Sequence, residues 1–132
     1  MYKGGQMEYF FYKEFCGGIK NINKLVDKIL KDVTPILNED LLFDIRLILN
    51  ELLINCHEHG NKYDEKKCIE LEFMINDKTI YFSVRDEGKG ITDRKTYENS
   101  ECKCHGRGLI LVESLVDDIK FEKNKVKCFI KL

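Results

Sequence analysis

The sequence predicts an α+β fold in two layers: a mixed, mostly antiparallel sheet with helices on one face. Three observations predict it. Apolar residues recur at helical spacing in three stretches, near residues 19–30, 41–56 and 109–116. Apolar and polar residues alternate in the stretches around 69–75 and 80–84, the period of a strand with one buried face. Those alternating segments are joined by a short turn, which makes neighbours antiparallel. With 132 residues, a single domain spanning 1–132 is expected, and such a chain buries roughly two-thirds of its surface on folding.

Residues 8–15 (EYFFYKEF) are rich in aromatics and read as the first strand. Ile19, Ile22, Val26, Ile29 and Leu30 mark the first helix, and Pro35 ends it. Asn38 is the expected N-cap of the second helix, with Glu39 and Asp40 in its first turn. Its core stripe is Leu41, Ile45, Ile48, Leu52 and Cys56, it runs to about His59, and Gly60 supplies the stop. Ile69, Leu71, Phe73 and Ile75 form one face of a strand. Asn76-Asp77 turns the chain, and Ile80, Phe82 and Val84 return. Residues 86–108 read as a loop, rich in glycine and charge. Leu109, Val112, Leu115 and Val116 mark a third helix, and two short strands, 119–122 and 126–132, close the chain around Asn124. A sheet covered on one face leaves the other to solvent or a partner.

Composition narrows the function. Apolar residues are 43% and charged residues 34% of the chain, which is globular and not disordered. The 22 basic and 23 acidic residues leave a net charge of −1, without the basic excess of a general nucleic-acid binder. No apolar run approaches the roughly 18 residues of a membrane span. Residues 1–6 lack the apolar stretch of a secretory signal, so the cytoplasm is the expected compartment. In that setting the cysteines are expected to be reduced. Cys56, Cys68 and Cys128 fall in or beside apolar segments and read as small hydrophobes. Cys102, Cys104 and His105 form a C-x-C-H cluster; with no second ligand pair in view, they read as exposed thiols before they read as zinc ligands.

Three features carry possible chemistry. Glu51, Asn55 and His59 are four residues apart and line one side of the second helix, at the border of its apolar stripe. A carboxylate there suits a general base, and the amide oxygen of Asn55 suits a hard cation such as Mg²⁺. Taken alone, the same stripe also fits a solvated helix edge. Asp86-x-Gly88-x-Gly90 follows a strand, so its glycines allow close approach to a flat ligand and Asp86 can accept from an exocyclic amine. Gly106-Arg107-Gly108 opens the helix that begins near Leu109, where free N–H groups favour a phosphate. Lys89, Arg94, Lys95, Lys103 and Arg107 suit a triphosphate, or an ordinary solvated loop. The P-loop and Rossmann glycine patterns are both absent.

In this order, Glu51-x-x-x-Asn55, Asp86-x-Gly88-x-Gly90 and Gly106-x-Gly108 resemble the N, G1 and G2 boxes of the Bergerat-fold (GHKL) ATPases. The fuller strings NELLINCHEHGN (50–61), VRDEGKGI (84–91) and HGRGLILVESLVDDI (105–119) are similar to the anti-sigma factor serine kinases. The resemblance implies ATP and Mg²⁺ as cofactors. It gives Glu51 as the base, Asn55 as the Mg²⁺ ligand, and Asp86 as the adenine acceptor. Gly88 and Gly90 would shape the base pocket, and Gly106, Arg107 and Gly108 would close over the phosphates, with His59 beside the nucleotide and residues 92–105 as a lid. It further implies a homodimer that holds a sigma factor and phosphorylates a serine of a STAS-domain anti-anti-sigma protein. Direct contact with nucleic acid or membrane is not implied. A histidine kinase would more often carry His at position 51. Where family members often place a small hydroxyl residue on the last strand, this chain has Lys127 and Cys128. A non-catalytic nucleotide-gated module, or a phosphotransfer module in a partner-switching pathway without a sigma factor, is the alternative.

Overall fold

A computed structural model of the chain describes residues 7–88 and 103–132. The elements run β1 (Met7–Cys16), α1 (Ile19–Val33), α2 (Glu39–Asn55), β2 (Cys68–Asn76), β3 (Thr79–Arg85), α3 (Lys103–Leu115), β4 (Asp118–Glu122) and β5 (Lys125–Lys131). The strands form one sheet in the order β1-β2-β3-β5-β4, and every pairing between them is antiparallel. The α+β two-layer expectation holds, with a fully antiparallel sheet among the described residues.

Local chemistry explains the boundaries. The side chain of Asn38 accepts from the Leu41 N–H at 2.8 Å, so it caps α2 as its residue type predicts. The chain leaves α1 one residue before Pro35 can occupy a helical position. Asn76 Oδ1 accepts from the N–H groups of Lys78 and Thr79, which fixes the β2–β3 turn and hence the register Ile75↔Ile80.

The alternation works as read. Ile69, Leu71, Phe73 and Ile75 of β2, and Ile80, Phe82 and Val84 of β3, are buried against Ile22, Val26 and Ile29 of α1 and Ile45, Ile48, Leu49, Leu52 and Leu53 of α2. Ile19, expected in the first helix's stripe, is instead exposed at its start. The residues between the buried ones face away from the helices. On that open face Phe10, Met74, Tyr81 and Phe129 are successive cross-strand partners, and Phe10 and Tyr12 are about half exposed. No helix among the described residues is long and apolar enough to cross a membrane.

Two expectations need correction. Cys16 and Cys68, opposite each other at the end of β1 and the start of β2, are joined by a disulfide. Cys68 is therefore not a small hydrophobe of the core, whereas Cys56 and Cys128 are free and buried as expected. Antiparallel pairing sets directly opposed residues within reach of such a bond, and the pairing register was not legible before the strands were aligned. The third helix starts at Lys103, not near Leu109. Gly106, Arg107 and Gly108 lie inside it, so its free N–H groups belong to the turn beginning at Lys103.

Candidate functional site

The site forms where α2 gives way to β2. The α-helix ends at Asn55, and Cys56–Gly60 form one π-helical turn, closed by Asn61 N–H donating to Cys56 C=O at 2.8 Å. Glu51 and Asn55 keep their four-residue stacking within α2, whereas His59 falls in the wider turn and departs from it. Lys62 and Tyr63 then adopt left-handed backbone angles (φ 53° and 63°), which turn the chain toward β2.

Asn61 holds this junction. It is 1% exposed. Its Oδ1 accepts from the Glu87 N–H at 2.8 Å, and its Nδ2 donates to the Cys68 carbonyl at 3.1 Å. One amide thus ties the end of α2 to the start of β2 and to the loop after β3. On the other side Asn124, in the β4–β5 turn, receives the Asp86 N–H on its carbonyl at 3.1 Å and donates its side-chain amide to the Asp86 carbonyl.

Asp86 is fixed from all sides. Its Oδ1 accepts from the Gly88 N–H at 2.8 Å, and the Cys56 thiol donates to its carboxylate. A Cβ on Gly60 would overlap that carboxylate, and a Cβ on Gly88 would overlap the Gly60 main chain. Gly60 is therefore required for close approach and does not end the helix through a left-handed conformation. Burial pushes the Asp86 carboxyl above the usual carboxylate range; the Gly88 N–H, the Cys56 thiol and Lys67 oppose that rise. Burial, aided by the Asp86 charge, pushes the Cys56 thiol far up, so it stays protonated and donates. Burial lowers the His59 pKa, against the pull of Glu58, which favours its neutral form.

These groups line a cleft of about 600 Å³, within the range of small-molecule sites. Leu52, Val84, Leu109, Phe121 and Val126 give it an apolar wall; Asn55, His59, Asp86 and Gly88 give it polar groups, and Lys62, Lys67 and Lys123 a cationic rim. Val126, not Lys127 or Cys128, is the β5 residue on the cleft. Glu51 lies one helical turn before Asn55, half-buried, where α2 meets α3. A Cβ on buried Gly108 would overlap Glu51 Oε2 and lie 3.7 Å from Asn55 Nδ2. The structure thus brings Asn55, His59, Asp86 and Gly88 together, with Glu51 and Gly108 adjacent. Gly90, Lys89, Arg94 and Lys95 lie outside the described residues, as do residues 92–102 of the expected lid, while 103–105 form the start of α3. Asn61, Asn124 and the lysine rim were not singled out from sequence. Asn61 stood in the quoted string, and only the fold shows what it bridges.

Gly60→Ala tests this packing. The backbone there accepts alanine, but the new methyl displaces the Asp86 carboxylate, an overpacking that costs about 1–3 kcal/mol. Ligand affinity at the cleft should fall about ten-fold or more with the fold retained, read by calorimetry and circular dichroism.

Comparison with known proteins adds the following. A family model described as "Histidine kinase-like ATPase domain" matches residues 20–130. The anti-sigma F factor of Bacillus subtilis (strain 168) is 25% identical over 91 residues, covering 64% of this chain and 62% of that protein. The anti-sigma F factor of Geobacillus stearothermophilus is 27% identical over 89 residues, covering 63% and 61%. The chain thus spans less than two-thirds of the length of these relatives.

Proposed function

Since the chain belongs to the histidine kinase-like ATPase domain family, we propose that its cleft binds Mg-ATP and that the protein is an anti-sigma regulatory factor which phosphorylates a serine of a STAS-domain anti-anti-sigma antagonist. The observation that carries the nucleotide reading is Asp86, a buried carboxylate held by Gly88 and Cys56 at the end of an apolar cleft, with Asn55 at the same cleft. The relatives named as anti-sigma F factors support the regulatory part.

Each residue has a task in this reading. The Asp86 carboxylate accepts the adenine amine. Leu52, Val84 and Val126 bury the flat base, and Gly60 and Gly88, by packing without Cβ atoms, let the Asp86 carboxylate take its place. Lys62, Lys67, Lys123 and the N-terminal turn of α3 attract phosphates. A magnesium ion carried on nucleotide phosphates needs only one or two protein oxygens, and one amide oxygen from Asn55 fits that need. When bound, the ion offsets phosphate charge. Glu51, beside Asn55 where α2 meets Gly108, holds the attacking serine hydroxyl and accepts its proton.

The test is transfer of radiolabelled γ-phosphate to the cognate STAS protein, alongside ATP binding and sigma-factor capture. ATP binding without transfer returns the reading to a nucleotide-gated module. Transfer without sigma capture places the protein in a partner-switching pathway lacking a sigma factor. Asn55→Ala should weaken ATP binding in Mg²⁺ and leave the weaker binding in EDTA nearly unchanged, measured by calorimetry in both buffers.

The homodimer belongs to the same proposal, and the open sheet face supports it. Its row of Phe10, Met74, Tyr81 and Phe129 is flanked by Glu14, Glu70 and Glu72 toward β1 and by Arg85, Lys125 and Lys127 toward β5. A two-fold axis through that face sets acidic against basic corners around an apolar centre.

A further inference from the structure

We propose that the Cys16–Cys68 disulfide is a thiol-exchange site whose oxidation state sets the order of the nucleotide cleft. It closes a loop between residues 52 apart in sequence, and it sits where β2 carries the cleft's supports. The Cys68 N–H donates to Glu87 Oε2 at 2.5 Å, and the Cys68 carbonyl accepts from Asn61, which in turn receives the Glu87 N–H. Glu87 lies between Asp86 and Gly88, the two residues bonded to each other in the cleft. Cys68 is therefore joined to the Asp86–Gly88 loop twice, directly through the Glu87 carboxylate and a second time through Asn61. Cys16 is anchored separately: its carbonyl receives Asn21 Nδ2 at 2.8 Å, and the next residue, Gly17, donates to the Glu65 carbonyl at 3.0 Å.

The bond is reachable. Cys16 is exposed and Cys68 half-buried. Beside Cys16 lies a shallow depression of about 430 Å³ lined by Lys13, Glu14, Asn21, Lys24 and Lys28, groups of both charges, so the reagent class is a low-molecular-weight thiol. Its thiolate attacks Cys16 Sγ, the S–S bond breaks, and Cys68 leaves as a thiolate and takes a proton. A second small thiol attacks the mixed disulfide at the reagent's sulfur and releases Cys16. Two electrons and two protons pass to the cysteine pair, and the small thiols leave as their own disulfide; the reverse reaction restores the bond. Once it is broken, only strand-end hydrogen bonds hold Cys68 to β1, and strand ends open at low free-energy cost. Asn61 and Glu87 then lose a fixed anchor.

The test uses the full chain, oxidised with a small-molecule disulfide or reduced with dithiothreitol. A non-reducing digest of the oxidised protein should contain the Cys16–Cys68 linked peptide. Amide exchange at Glu87 and Gly88 without nucleotide should be slower in the oxidised form, and ATP should bind it about five-fold more tightly. Cys16→Ser should behave as reduced protein in both buffers. Glu87→Gln should keep the linked peptide and lose much of the redox dependence of exchange. Absence of the linked peptide, equal exchange in the two forms, or redox-dependent exchange with equal ATP affinity overturns the proposal. The affinity arm rests on the nucleotide reading given above. If neither form binds ATP, that reading fails, while redox-dependent exchange still upholds the coupling between the disulfide and the cleft.

Discussion

With the cleft working as proposed, Glu51→Gln should leave ATP binding intact and slow phosphotransfer by about 10²–10⁴-fold, the usual cost of losing a general base. Glutamine keeps the length and shape of the side chain, so the contact with Gly108, where α2 and α3 approach, is retained. Only the proton-accepting capacity goes. Asn55, one turn later, and Asp86 across the cleft are untouched, so the contacts proposed for the nucleotide remain. The measurement is single-turnover transfer to the STAS protein with calorimetry in parallel. Transfer near the wild-type rate removes Glu51 from the role of base. A collapse of ATP affinity instead makes Glu51 part of the nucleotide's own support.

The two-layer fold was legible because its signals are local. Ile69, Leu71, Phe73 and Ile75 alternate, and all four are buried; Asn38 has the residue type of an N-cap and acts as one. The site was half legible. Asn55, Asp86 and Gly88 are marked by order and spacing, and they meet at one cleft. What spacing cannot show is a contact made across the sheet. Cys16 and Cys68 look unrelated until antiparallel register sets them opposite each other. Asn61 becomes a support of the Asp86 loop only when β2 and β3 are side by side, and Asn124 only when β3 and β5 are. The start of α3 was misplaced for a different reason. Gly106 and Gly108 are weak helix formers, costing about 1 kcal/mol each in a helix interior, and so read as the turn before a helix. At Gly108 the tertiary structure prevails, because the close meeting of α3 with Glu51 on α2 requires a residue without Cβ.

Asp86→Asn separates affinity from stability. In the proposed site the carboxylate would accept from the adenine amine and repel the carbonyl that guanine presents at the same position. With Oδ1 held by the Gly88 N–H, asparagine presents its Nδ2 donor to the base, a mismatch for the adenine amine and a match for the guanine carbonyl. ATP affinity should fall about 10- to 100-fold, as a mismatched buried polar partner costs about 1–3 kcal/mol, and the preference for ATP over GTP should shrink. Stability should move the other way. Burial raises the folded-state pKa of Asp86 above its ordinary value. Such a group favours the fold fully at pH below its unfolded pKa, and that contribution is lost as pH rises through the folded pKa. Above its folded pKa the ionised carboxylate is therefore a cost to the nucleotide-free protein. Asparagine removes that cost while its Oδ1 still accepts from the Gly88 N–H. Without nucleotide the variant should melt at or above the wild-type temperature at pH 7, with the gap closing as pH falls. With Mg-ATP present the order should reverse, because ligand stabilises the wild type more. Melting curves across pH, with and without nucleotide, read both effects. A variant that melts lower in the absence of nucleotide makes Asp86 a scaffold residue, and unchanged ATP and GTP affinities move the base pocket elsewhere.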